Sequence, residues 1–231
     1  EMARRLDFVG RLCYSMHDAM RHYEHRHTAS LGLHMPNYPT VYTFSTKGGQ
    51  LVHVRSLQPI DAPYLVDLFE NMGADSRYQR FLQTLDYVDI DRVWDTAELI
   101  AYGSAANARG LVAFCDTAER PDVPVAAARY VRMNDEEAEV GVSVRDDMQD
   151  KGIGSQLLGL LVEEAHDEGL SRLIAYVQNS NVAIWRILNR LNYPLSRHSD
   201  GGATEIVIHV GEGDGCEDAA IDYSPEPQLI G

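Results

Sequence analysis

Over residues 138–169 the apolar pattern of the chain changes its period. Ala138–Val144 alternates, with Glu139, Gly141 and Ser143 on one side and Val140, Val142 and Val144 on the other, as a strand does. From Ile153 the apolar residues recur at helical spacing: Leu157, Leu158, Leu161, Val162 and Ala165. Gly169 stops that run. A strand must therefore hand over to a helix through a short loop, and that loop carries Gly152 and Gly154.

The flanking segments extend the alternation of strand and helix. Leu111–Cys115 and Val123–Met133 predict strands, Asn134-Asp135 a turn, Leu173–Val177 a strand, Asn181–Leu191 a helix and Glu205–Val210 a last strand. Earlier, residues 40–46 and 50–56 flank Lys47-Gly48-Gly49 and predict a hairpin. Pro59–Met72 predicts a helix with Leu65, Leu68 and Phe69 inward, and Asp75 or Ser76 is a candidate cap for a second helix through Leu82. This pattern predicts an α/β fold, a mixed, partly parallel sheet with helices on both faces. Ahead of it, Leu6, Val9, Leu12, Cys13, Met16 and Met20 form an apolar helical stripe, closed by Met35-Pro36-Asn37-Tyr38-Pro39. The expected organisation is a helical arm and linker over 1–37, one domain over 38–210, and an acidic tail over 211–231. The arm is expected to pack on the domain or on a second copy of the chain, because an isolated helix cannot keep its stripe in water.

Composition narrows the partners. Thirty-five acidic residues against 20 basic ones leave a formal charge of −15. A nucleic-acid partner needs a basic face to neutralise phosphates, so this balance argues against one. Cys13, Cys115 and Cys216 are far apart in sequence, with no CxxC pair, which suggests neither a metal cage nor a disulfide framework. A reduced, cytoplasmic compartment is expected. No stretch approaches the ~18 apolar residues that cross a bilayer, so no membrane partner is expected. The start, Glu1-Met2-Ala3-Arg4-Arg5, has neither an initiator Met at position 1 nor an apolar leader behind it, as a piece excised from a longer chain would.

The chemistry concentrates in the loop Gln149-Asp150-Lys151-Gly152-Ile153-Gly154-Ser155. Glycine lets backbone approach a ligand closely and adopt unusual dihedrals. The first N–H groups of the following helix lack internal partners and carry the positive end of its dipole, which suits a pyrophosphate. Lys151 can add a cation. A plain strand-to-helix turn without a ligand is the competing reading. The segment is neither a dinucleotide fingerprint nor a P-loop, since both glycine spacings fail.

Gln149-x-x-Gly152-x-Gly154, set between a valine-rich strand and an amphipathic helix, resembles the acyl-coenzyme A loop of the GNAT superfamily of N-acetyltransferases. Gln178-Asn179-Ser180-Asn181, followed by a helix and Leu191-Asn192-Tyr193, is similar to that family's Asn-bearing turn and Leu-Gly-Phe ending. Val52–Leu82, with Val125–Arg132 and Ala138–Asp147, resembles the acetyltransferase domain of the Pat-type bacterial protein lysine acetyltransferases. The resemblance implies a GNAT-type sheet and acetyl-CoA as cosubstrate, with no metal. It implies that the backbone of Val142 and Val144 pairs with the pantetheine arm where the strand splays from its neighbour, and that Asn181 contacts coenzyme A. It also implies an amine acceptor, a lysine side chain on a protein. Two departures stand out: Asn192 replaces the usual glycine, and Leu188 falls where many relatives place a tyrosine acid.

Glu139 is the candidate general base, set against the reading of an ordinary strand glutamate. An alkylammonium has a pKa near ~10.4, so at pH 7 only about one amine in ~2,500 is nucleophilic, and a carboxylate can take the excess proton. Glu136 and Glu137 are expected in solvent, Tyr193 and Cys115 in the core, Arg129 and Tyr130 in packing or ion pairs, and His22, His25 and His27 on a helix surface. Two alternatives to protein lysine acetylation remain open: a small polyamine or antibiotic-like acceptor, and a non-catalytic acyl-CoA sensor.

Overall fold

The computed structural model describes residues 38–81, 89–103, 107–118 and 120–211. The apolar stripe of residues 6–27, its histidines and the acidic segment from residue 212 lie outside the described residues.

Eight strands make one sheet: β1 (Tyr42–Ser45), β2 (Leu51–Ser56), β3 (Ala108–Cys115), β4 (Val123–Arg132), β5 (Glu137–Val144), β6 (Arg172–Gln178), β7 (Leu195–Asp200) and β8 (Ala203–His209). Their spatial order is β1-β2-β3-β4-β5-β6-β8-β7. Every neighbouring pair is antiparallel except β5 and β6. That parallel pair needs a crossover, which is α4 (Ile153–Asp167). The other described helices are α1 (Ala62–Glu70), entered through a 3-10 turn at Pro59–Asp61, α2 (Ala74–Phe81), α3 (Ile90–Tyr102) and α5 (Val182–Leu188). The mixed, partly parallel sheet with helices on both faces is thus the architecture found.

The alternation of β5 decides what each face becomes. Val140, Val142 and Val144 join the main core with Leu157, Leu158, Leu161 and Val162 of α4, the fully buried Leu188 of α5, and Ile206 and Ile208 of β8. Cys115 and Tyr130 lie in the same core. On the opposite face α1 and α3 cover only the β2–β4 half, through Leu57, Val112 and Phe114 beneath Tyr64, Leu65 and Ile100. Asp61, wholly buried, holds the entry to α1: its carboxylate takes a forked pair of bonds from Arg55, at 2.6 and 2.8 Å. Glu139, Gly141 and Ser143 therefore sit where this second helical layer ends.

Two expected boundaries shift, and two elements are added. α2 starts at Ala74, so Asp75 lies in its first turn and does not cap it. Leu68 is buried in α1 as expected, and Val66 is the second large side chain there. α5 stops at Leu188: the Asn189 amide still bonds four residues back, to Trp185 O, but those of Arg190 and Leu191 bond three residues back, which tightens the end of the helix. Residues 90–102 form α3, whose pattern of Val93, Ala97 and Ala101 facing the core is carried by small residues. Residues 195–200 form the edge strand β7, a polar run that pairs with β8.

Candidate active site

The site begins where one strand pair comes apart. β5 and β6 are paired at Glu137↔Arg172, Ala138↔Leu173 and Glu139↔Ile174, and the ladder stops there. β5 continues to Val144, still paired to β4. The direction of its amides follows from two bonds at its ends. Glu137 O accepts from Met133 N, and Arg145 N donates to Val125 O, so odd-numbered residues turn their backbone groups towards β4. In a strand the alternate residues turn the other way. Val140, Val142 and Val144 thus present N–H and C=O towards the opened side.

The N-terminus of α4 closes this opening. Gly152 precedes the helix with φ +92°, a left-handed conformation that glycine adopts without strain, and no side chain caps the helix. Asp150 is also left-handed, with φ +58°. A Cβ on Gly152 would meet nothing within 4 Å. The Gly154 position differs from expectation. It has no positive φ, and its Cβ would meet Ile187 Cδ1 at 3.0 Å and Val144 Cγ2 at 3.4 Å. Gly154 therefore lets α4, α5 and β5 pack closely, while Gly152 supplies both the unusual dihedral and the open approach. Ile153 is buried core, and Ser155 is half-buried in the first turn. The N–H groups of this turn precede the first intrahelical bond, from Gln156 N to Gly152 O at 3.2 Å.

Other loop residues hold the loop itself. Gln149 Nε2 donates to Ser76 Oγ at 3.1 Å, to Asp146 Oδ1 at 3.2 Å and to Val144 O at 3.4 Å. Asp146 Oδ2 accepts from Gly73 N at 2.9 Å. The loop is thereby fastened to the α1–α2 turn. Lys151 Nζ reaches Gln50 Oε1 at 3.3 Å, and its carbonyl accepts from Lys47 N. Its ammonium is committed to the β1–β2 hairpin in this structure, not to the helix end. The Asp150 carboxylate is exposed, 3.9 Å from Arg186 Nη1. Asn181 caps α5, its Oδ1 accepting from Ile184 N at 3.1 Å.

Glu139 stands at the fork, on the face opposite the valines. Burial pushes its carboxyl above the usual carboxylate range, and the charges of Arg80 and Arg129 pull against that shift. Arg129 lies beside it on β4, opposite Gly141. Arg80 reaches in from α2, with Nε 3.2 Å from Ser143 Oγ. Sequence reasoning placed Arg129 in packing or ion pairs and did not single out Arg80. Only the register of α2 against β5 brings Arg80 to the site. Glu137 is tied to Asn134 and Arg172, and Glu136 is exposed beside Arg172. Among the described residues no group of three or more His, Cys, Asp or Glu side chains is placed to hold a metal ion. Among them, too, no helix is long and apolar enough to cross a membrane.

The arrangement offers a strand edge able to pair with an extended amide-bearing ligand, an uncapped helix end for its phosphates, and a half-buried carboxylate where that edge begins to open. The chain also resembles known proteins. The family model for the acetyltransferase (GNAT) family matches residues 74–193, just over half of the chain. The acetyltransferase Pat of Mycolicibacterium smegmatis is 44% identical over 69 residues, which are 29% of this chain and 21% of that protein. An L-methionine sulfoximine/L-methionine sulfone acetyltransferase of Pseudomonas aeruginosa is 40% identical over 58 residues, 25% of this chain and 34% of that protein. The matches thus span about a fifth to a third of these relatives. Among solved structures, the GNAT domain of S. lividans PAT has a TM-score of 0.61 at 22% identity, over 73% of this chain and 96% of that one. A ribosomal L7/L12 alpha-N-protein acetyltransferase in complex with coenzyme A has a TM-score of 0.56 at 14% identity, over 76% and 100%. At these identities the likeness is one of fold.

Proposed function

Because the chain belongs to the acetyltransferase (GNAT) family, we propose that it binds acetyl-CoA at the β5–β6 opening and transfers the acetyl group to a primary amine, a lysine side chain on a protein. The observation that carries this reading is the end of the β5–β6 ladder at Glu139, with β5 running on, unpaired on that side, to Val144 beside the uncapped start of α4. The alignment with Pat over part of its length supports the lysine acceptor.

The residues present fit the cosubstrate. The N–H groups at Gly152, Ile153, Gly154 and Ser155 suit a pyrophosphate, and the open space above Gly152 leaves room for it. Val142 and Val144 suit the amides of the pantetheine arm, and Asn181 caps α5, the helix whose Ile187 packs against Gly154. Gln149 and Asp150 shape the loop, and Lys151 anchors it to the hairpin. The bound molecule supplies an acetyl thioester. Glu139 takes a proton from the acceptor ammonium, so that the nitrogen lone pair is free for the thioester carbon. The Val142 N–H polarises the carbonyl oxygen as negative charge grows on it. The C–N bond forms, the C–S bond breaks, and the leaving thiolate takes up the second proton, which the acylated nitrogen gives up as it becomes an amide. Burial serves this role because it makes Glu139 a stronger base than an exposed glutamate.

The first test is binding. At ~100 times its Kd, acetyl-CoA should stabilise the native state by about 2.7 kcal/mol and raise the melting temperature accordingly. An unmoved melting curve at millimolar acetyl-CoA overturns the reading. One observation favours a second reading, a non-catalytic acyl-CoA sensor: Leu188, at the position of the family's tyrosine acid, is wholly buried in the core. Release of free thiol in the presence of proteins or small amines separates the two, and mass spectrometry of the products identifies the acceptor.

A further inference from the structure

The face of β5 that carries Glu139 has a gap in its row of side chains, and that gap is filled from another element. A Cβ on Gly141 would lie 2.7 Å from Cζ, 2.8 Å from Nη2 and 2.9 Å from Nη1 of Arg80. The Arg80 guanidinium therefore occupies the space a side chain at residue 141 would take, between Glu139 and Ser143 on the same face. Its Nε bonds Ser143 Oγ on one side. Its charge acts on Glu139 on the other.

The element that delivers it is fastened at its opposite end. Ser76 Oγ accepts from Gln149, and Gly73 N donates to Asp146 in the loop after β5. A Cβ on Gly73 would meet Asp146 Oδ2 at 2.8 Å, so that contact too depends on a missing side chain. Phe69 supports the first turn of α2, with the Arg77 guanidinium 4.2 Å from its ring centroid. The α2 helix is thus held over β5 at both ends, which fixes where a long, flexible arginine can reach.

We propose that Arg80 is a positioning residue for the Glu139 carboxylate, seated over β5 by the absence of a side chain at Gly141 and by the bonds that tie α2 to the loop at 146–149. The inference rests on the reading of Glu139 as the base. The titratable and charged groups on this face around Glu139 are Arg80 from α2, Glu137 on β5 itself, Arg129 from β4, Arg172 and Tyr176 from β6, and Glu205 from β8. Of these, Arg80 is the larger influence holding the carboxyl ionised against its burial. Planar and forked, a guanidinium can bond a hydroxyl and a carboxylate at once, which a lysine ammonium does only as a point charge.

The test reads Glu139 directly. The protein is labelled with 13C-glutamate, and the Glu139 side-chain signal, assigned by its loss in Glu139→Gln, is titrated with pH in wild type, Arg80→Met, Arg80→Lys and Gly141→Ala. In parallel kcat/KM is measured across pH. Loss of a nearby positive charge raises a carboxyl pKa. Arg80→Met should therefore move the Glu139 midpoint and the acid limb of the rate profile upward together. Its kcat/KM at pH 6 should drop by about tenfold, a loss that shrinks as pH rises. Arg80→Lys should restore part of the shift. Gly141→Ala should move the midpoint in the same direction by less, since it keeps the charge and displaces only the flexible end of Arg80. Acetyl-CoA affinity should hold within about twofold, because none of these residues supplies the phosphate or pantetheine contacts.

A midpoint unmoved in both Arg80→Met and Gly141→Ala overturns the proposal, whatever happens to the melting temperature, and reduces Arg80 to a tie between α2 and the sheet. If Arg80→Met does not fold, Gly141→Ala decides the matter. Failure of the underlying reading looks different: a Glu139→Gln enzyme with the wild-type rate at pH 7 removes the base.

Discussion

At its C-terminal end α4 runs out on Glu168, whose carboxylate accepts from Tyr130 Oη at 3.0 Å and Arg132 Nη2 at 3.2 Å and lies 2.6 Å from Arg109 Nε. At its N-terminal end the same helix offers Gly152, no side-chain cap, and open space. The dipole makes this contrast informative. A carboxylate is unfavourable at a helix C-terminus and favourable at an N-terminus, so the chain puts its own anion at the wrong end and leaves the right end vacant of one. Side chains from β3 and β4 satisfy the wrong end. The right end keeps its capacity for an anion brought from outside.

Two glutamates on either side of the sheet extend the contrast. Burial pushes both upward, but at Glu168 the bonds from Tyr130, Arg132 and Arg109 outweigh it and the carboxyl titrates below its ordinary range. At Glu139 burial wins over the charges of Arg80 and Arg129. Hydrogen bonds to the charged form make a carboxylate a poor base, and desolvation makes it a better one. Both residues have arginines nearby. What separates them is which side of the balance prevails, the bonds at Glu168 and the burial at Glu139.

The sharpest way to break this comparison is at Glu139. Glu139→Gln should lower the rate at pH 7 by about 10²–10⁴-fold, with acetyl-CoA affinity near that of wild type and a deficit that narrows as pH nears the amine's own pKa. Steady-state rates across pH and calorimetric titration of acetyl-CoA check both halves.

The two loop glycines come next. A valine at Gly152 would have to adopt a left-handed backbone at a cost of about 1–3 kcal/mol and would stand in the open space of the site. We expect the Kd for acetyl-CoA to rise by at least about tenfold in Gly152→Val, since the loop can no longer hold its conformation cheaply. Gly154→Val should act through packing on Ile187 and Val144, lowering stability by about 1–3 kcal/mol. Binding and melting measurements on the pair test this split. Equal losses of affinity without loss of stability would mean that the missing side chain of Gly154, and not only its N–H, serves the phosphate site.

Glu168→Gln should cost about 1–2 kcal/mol at pH 7 through loss of charge-assisted bonds, with turnover per folded molecule unchanged. The sign with pH follows from the lowered carboxyl. Its contribution is complete above the pKa of an unfolded glutamate and disappears as pH falls through the folded value. Denaturation curves of wild type and variant should therefore converge in acid. The smallest effect has the opposite sign. The raised carboxyl of Glu139 favours folding only while it is protonated, and that contribution is lost as pH rises through the folded value. Glu139→Gln should then be at least as stable as wild type at pH 8, and a clear fall in its melting temperature there would mean that the arginines dominate the site.

Most of the elements could be read from residues whose neighbours are local. Alternation marks β5 because a half-buried strand must alternate, and the run from Ile153 to Ala165 marks α4 because one stripe faces the sheet. β7 and α3 escape for the converse reason. β7 is an edge strand, so its polar run Leu195–Asp200 bears no apolar alternation, and α3 buries mostly alanines, whose weak contrast hides the period. The glycine loop was legible as a motif, but the different work of Gly152 and Gly154 was not, since both read as a missing side chain. Their roles separate only when Ile187 and Val144 are seen to crowd one and nothing to crowd the other.

The sequence by itself determined the handover from strand to helix, the valines that bury one side of β5, the glutamate on the other, and the glycines between. These are consequences of period and of backbone freedom, which short stretches carry alone. Only the tertiary structure decided where β5 leaves β6, which amides face that opening, and that Arg80, distant in sequence, lies in the space above Gly141. Those depend on register and on long-range contacts, where a shift of one residue exchanges one face of a strand for the other, and no local pattern contains that information.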